Sequence, residues 1–165
     1  MLFTIGHSNH PIERFLALLS EHEIEILIDA RSYPGSQYNP QFNQKRLEAS
    51  LAPAGTQYRW MGRSLGGRGS VSVASPEFVG DMDAVLSLAA ERNTAIACSE
   101  AKPQSCHRAS KLMAWVHRER PDVKAQHIVP LPEAGSMLLN AAEFESGLAP
   151  RLLWWELDER GRYGR

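Results

Sequence analysis

Both cysteines of the 165-residue chain fall in one short stretch, CSEAKPQSCHR (98–108), beside a glutamate, a histidine and an arginine. Thiol, imidazole, carboxylate and guanidinium are the groups that nucleophilic or acid-base chemistry needs when a ligand is held by its negative charge. Cys106, His107 and Arg108 stand where a loop is predicted to enter a helix. Free backbone N–H groups and the helix dipole would favour an anion there and lower a thiol pKa. Cys106 therefore reads as the nucleophile, against the alternative of a packed structural thiol, with His107 as its acid-base partner. Cys98 closes a predicted buried strand and reads as packing. Glu100 reads as a general base, or as the acceptor that orients Arg108 or a ligand hydroxyl. Arg108 reads as a clamp for phosphate or carboxylate, the alternative being an ion pair with Glu100 or Asp29.

Further polar residues leave other predicted strands. His7 and Ser8 follow the first, and a histidine flanked by glycine and serine suits acid-base work or ligand contact as well as a local backbone hydrogen bond. Asp29 and Arg31 follow the second: Asp29 caps its loop or touches ligand, while Arg31 would complete an anion pocket with Arg108. Tyr33, Tyr38 and Phe42, interleaved with Pro34 and Pro40, read as aromatics that pin a long loop to the core, with base stacking as the alternative. Gly66 and Gly67 admit either a backbone approach to phosphate or a turn. No phosphate-binding P-loop and no dinucleotide-binding glycine motif occurs. The cysteine-to-arginine spacings also differ from the phosphatase arrangement. A metal site on Cys98, Cys106 and His107, with or without His7, is conceivable, but the spacing matches no standard zinc pattern and no metal is assigned.

These residues need a scaffold, and the order of elements supplies one. LFTI, IEILIDA, QYRWM, TAIACS and VKAQHIV read as strands; PIERFLALLSEHE, QKRLEASLAPA, PEFVGDMDAVLSLAAER and HRASKLMAWVHRER read as the helices between them. GRSLGGRGSVSVAS reads as a loop, and a last helix is expected near LNAAEFESGL. Alternation of this kind predicts a single three-layer α/β domain with a mostly parallel sheet and helices on both faces, Rossmann-like or flavodoxin-like. The domain is expected over 1–165, with an irregular tail from about residue 150. Ligands bind such sheets beyond the carboxyl ends of the strands, so His7, Asp29, Arg31, Glu100 and Arg108 are expected to line one cleft.

Several motifs, TIGHS, IDARSYPGSQYNPQFN, Tyr58, SLGG and ACSEAKPQSCHR, resemble in order those of a family known only as a domain of unknown function, DUF family 488. The resemblance implies a compact α/β domain with a site among these residues and supplies no reaction. Ala30, Gln37 and Ser99 depart from the pattern, as does the tail LLWWELDERGRYGR. Gln37 stands where a basic residue is frequent, which argues against a loop that grips an extended polyanion.

A formal net charge of −1 gives no global field for nucleic acid or an anionic membrane. There is no apolar run of membrane-spanning length and no signal-type start, and two cysteines are too few for a secreted disulfide framework. The expectation is a soluble cytoplasmic enzyme that binds a small anionic, phosphate-bearing or nucleotide-like ligand, its cofactors and oligomeric state unassigned. The alternatives are a non-catalytic nucleotide or nucleic-acid binding module, and a metal-dependent or thiol redox protein.

Overall fold

The computed structural model describes residues 1–68, 71–131 and 134–145; the expected tail lies outside them. Three apolar segments, β1 (Leu2–Gly6), β2 (Ile26–Asp29) and β4 (Thr94–Cys98), are buried at every position, as strands covered on both faces must be. With β3 (Gln57–Trp60), β5 (Ala125–Pro130) and β6 (Ser136–Asn140) they form one six-stranded sheet in the order β3-β2-β4-β1-β5-β6. All pairs are parallel except β5 with β6. The sixth strand is a departure from the sequence reading, which put a helix over its last residues. Gly135, at φ 73°, turns the chain into a hairpin, and the helix α6 (Ala141–Glu145) begins only after it.

Helices cover both faces, as the alternation predicted. On one, Phe15, Leu18 and Leu19 of α1 (Ile12–Glu21) and Leu47 and Leu51 of α2 (Gln44–Leu51) pack on Phe3, Ile5, Leu27 and Ala95. On the other, Phe78, Met82 and Val85 of α4 (Pro76–Glu91) pack on Leu2, Ile26 and Ile96. Joining them there is a continuous helix that starts as a π-helical segment, Arg108–Met113, and continues as α5 (Ala114–Glu119). A short α3 (Gly62–Leu65) lies within the stretch read as a loop. Ser75 caps α4, accepting from the Phe78 N–H at 3.2 Å, with Pro76 at the first helical position.

The class is that expected, but the strand order is neither of the two common doubly wound orders, because β4 is inserted between β1 and β2. That insertion positions the site. The chain leaves β1 for α1 on one face and leaves the adjacent β4 for the π-helical segment on the other. Adjacent strands whose connections depart to opposite faces leave a crevice between their carboxyl ends. Among the described residues no helix is long and apolar enough to cross a membrane.

Candidate functional site

A cleft of about 530 Å³ opens at that crevice. Gly6 and Cys98 are register partners at the ends of β1 and β4, and the pairing runs on into the loops: His7 N–H donates to Cys98 O at 2.9 Å and Ser8 N–H to Ser99 O at 3.0 Å. Gly6 is required here, since a Cβ would overlap the Glu100 carbonyl and the Arg108 guanidinium that pack on it. Ser8, at φ 49°, takes the left-handed region that non-glycine residues rarely adopt. His7, Ser8, Arg31, Glu100, Cys106 and His107, six of the residues singled out in the sequence, line the cleft. Asp29 and Arg108 do not; both are fully buried behind it.

One side of the cleft is a closed polar network. Arg31 donates from Nε to Asp29 Oδ1 at 2.8 Å and from Nη2 to Asp29 Oδ2 at 2.6 Å, and its backbone N–H reaches Oδ1 at 3.0 Å. Nη2 also reaches Phe42 O at 2.8 Å, and Tyr58 donates its hydroxyl to Asp29 Oδ2 at 2.7 Å. His7 donates from Nδ1 to Ser8 O at 2.7 Å, which leaves Nε2 as the acceptor facing Arg31 Nη1 at 3.3 Å. Its ring stacks on Phe42, centroids 4.1 Å apart. Burial, and then the Arg31 charge, lower the His7 pKa from 6.5 to about 4, so this imidazole is neutral at pH 7. Burial and the Asp29 charge push the Tyr58 phenol up, which keeps it a hydrogen-bond donor.

The other side holds the thiols. His107 Nδ1 lies 3.6 Å from Cys98 Sγ and 3.8 Å from Cys106 Sγ, and all three donor atoms fall within 4.8 Å of one another. Both cysteines are buried, and neither is in a disulfide. Gly67 makes room for the imidazole, since a Cβ there would lie 2.8 Å from the ring. Behind the thiols, Arg108 donates from Nη1 to the Glu100 carbonyl and from Nη2 to the Ala101 carbonyl, the latter at 2.8 Å. Its Nε has no partner, and among the described residues no carboxylate pairs with it.

This arrangement corrects the sequence reading in two respects. The two-arginine anion clamp is not formed, because Arg31 is spent largely on Asp29 and Arg108 on the turn it braces. The Arg108 N–H does not point outward to a ligand, but toward Cys106 Sγ at 3.5 Å. Cys98 is buried in the sheet as read, and as the last residue of β4 it also lines the cleft. Cys106, His107 and Arg108 pull the Cys98 thiol below its usual range, while Cys98 and burial push Cys106 up. Of the loop aromatics, Phe42 packs in the core as read, whereas Tyr33 and Tyr38 are 74% and 93% exposed. Tyr58 and Arg68 were given no specific role by sequence reasoning, and Gly67 was read as a phosphate approach or a turn, not as the seat of an imidazole. Glycines at 6 and 67 were the available signal, since each marks where the turn after β4 touches another segment.

Fold and site together define a three-layer α/β domain with a thiol-imidazole cluster at the switch point of its sheet. Residues 11–72 match the family model described as domain of unknown function DUF488, which bears out the resemblance over that part of the chain. The match takes in Asp29, Arg31 and Tyr58; TIGHS begins before it and the cysteine turn follows it. Neither the curated proteins nor the solved structures compared with the chain give a match.

Proposed function

We propose that this protein is an enzyme that acts on a small anionic, phosphate-bearing or nucleotide-like ligand in the cleft between β1 and β4, with Cys98 as the nucleophile. The observation that carries this reading is Arg108, fully buried with no carboxylate partner among the described residues, its backbone N–H 3.5 Å from Cys106 Sγ and its charge acting on both thiols. An uncompensated buried cation costs several kcal/mol, roughly, and a thiolate alongside offsets that cost. The pair supplies it by sharing one proton, Cys106 donating its S–H to Cys98. Cys98 Sγ would attack an electrophilic centre of the ligand, and His107, in reach of both sulfurs, would move the proton that the leaving group or the second step requires. Neutral His7 is held by Ser8 and Arg31 with its ring fixed on Phe42, which suits it to orient the ligand. Exposed Glu100 and Arg68 at the rim would meet a ligand hydroxyl and an anionic group respectively. Free thiols persist in a reducing compartment, so we assign the activity to the cytoplasm.

A second reading, a non-catalytic nucleotide or nucleic-acid binding module, is favoured by one feature: Tyr33 lines the cleft with its ring largely exposed, in the same loop as Tyr38, and such rings stack on bases. Alkylation followed by peptide mass spectrometry, with and without phosphate and a nucleotide panel, separates the two. The enzyme reading expects label on Cys98 before Cys106 and protection by an anionic ligand. Ligand-dependent thermal stabilisation with both thiols inert in the folded protein would favour the binding module and overturn the enzyme.

A further inference from the structure

The donor atoms of this cluster also suit a metal: both nitrogen-to-sulfur spacings match edges of a metal polyhedron, and all three atoms lie within 4.8 Å of one another. Zinc bonds of about 2.3 Å to sulfur and about 2.0–2.1 Å to nitrogen, at tetrahedral angles, set sulfur and nitrogen about 3.6 Å apart. His107 Nδ1 stands 3.6 Å from one sulfur and 3.8 Å from the other. A single N–H cannot point well at both sulfurs, whereas a cation on the open side of the triangle is met by all three donors at once. The ring is aimed by little else: Gly67 packs on its face, and Nε2 is buried without a hydrogen-bond partner.

We propose that Cys98, Cys106 and His107 bind one thiophilic divalent cation, zinc by the character of the donors, with its fourth position open to the cleft. The inference rests on the reading of this cluster as the functional centre and deepens it, because cation and shared proton compete for the same sulfurs. Two thiolates and an imidazole select zinc over magnesium or calcium, which prefer oxygen. Three protein ligands with an open position are the pattern of a catalytic site; structural sites close the fourth. The donors also come from ordered elements, Cys98 from the end of β4 and the other two from the entry to the π-helical segment. His7 does not join the set, so the wider site conceived from sequence narrows to three residues.

Charge then points to what fills the fourth position. Two thiolates cancel a divalent cation and leave Arg108 to be matched, which a hydroxide or the anionic group of the ligand would do. Metal-loaded, the centre would offer an activated water or a seat for that anion; metal-free, it would offer the Cys98 nucleophile.

The test uses the full chain, stripped with a chelator and titrated with zinc against a chromophoric competitor, then with cobalt as a spectroscopic probe. The expected result is one equivalent bound, thiolate-to-cobalt charge-transfer absorption with the visible bands of a tetrahedral site, and alkylation of both thiols slowed about tenfold or more by zinc. His107→Ala should weaken binding about tenfold or more. Should that variant fail to fold, the wild-type cobalt spectrum decides alone. No saturable binding, or a spectrum without thiolate bands, overturns the inference. Fast labelling of Cys98 in that same metal-free protein would leave the enzyme reading standing. Thiols that fail to label with or without zinc would sink the enzyme reading, and the cobalt spectrum would still judge the metal.

Discussion

Two buried arginines stand at the carboxyl edge of the sheet, and their surroundings differ in kind. Arg31 meets a carboxylate through two parallel hydrogen bonds, and that carboxylate is itself held by Tyr58. Among the described residues Arg108 meets carbonyls and no carboxylate, and its charge acts on the two thiols. The first region is a finished structural network with a flat, paired cation; in the second, the thiolate we propose would balance a guanidinium that has no carboxylate among the described residues. Each arginine also has a buried histidine nearby whose pKa it helps to lower, His7 for Arg31 and His127 for Arg108.

The largest effect expected of one substitution breaks the closed side. Asp29→Asn leaves the Arg31 guanidinium buried without its partner and should cost about 3–5 kcal/mol in urea unfolding. The response to acid, summed over two histidines, is of similar or greater size. Burial first, and then the arginines, lower His7 to about 4 and His127 to about 3, both from 6.5. The unfolded chain takes up these protons as pH falls through 6.5, while the folded protein refuses them until near pH 4 and pH 3. Their stabilising contribution is therefore whole above pH 6.5 and is lost as pH falls towards those lower values, at about 1.4 kcal/mol per unit and per histidine. Unfolding free energy measured from pH 7 to pH 4 should show that slope. Arg108→Met should have the smallest effect on stability, about 1–3 kcal/mol, because it removes a costly charge along with the bonds to two carbonyls. It should also slow alkylation of Cys98 near neutral pH. A loss of stability matching that of Asp29→Asn, with thiol reactivity unchanged, would erase the difference between the two regions.

Much of this was legible in the residue order. Strand-helix alternation placed the ends of β1, β2 and β4 on one edge, and six of the singled-out residues do line one cleft. Partnership was less legible, because Asp29 lies two residues from Arg31 and 79 from Arg108, and residue type alone does not choose between them. Cys98 is buried at the end of β4 as read, and its place as the final residue of the strand, which residue type alone does not reveal, also gives it the cleft. The sixth strand escaped because SMLLN is short and runs straight into a helix. Tyr33 and Tyr38 look like core aromatics by type, and only the path of their loop leaves them outside.

The central claim is that buried Arg108 is balanced by a thiolate on Cys98, and the pH profile of alkylation tests it most directly. In metal-free wild-type protein, the rate at Cys98 should already stand near its plateau at about pH 6 and change little up to about pH 8, since the thiolate is preformed. A rate that climbs about tenfold per pH unit through this range, as an ordinary thiol with a pKa of about 8.5 does, would contradict it.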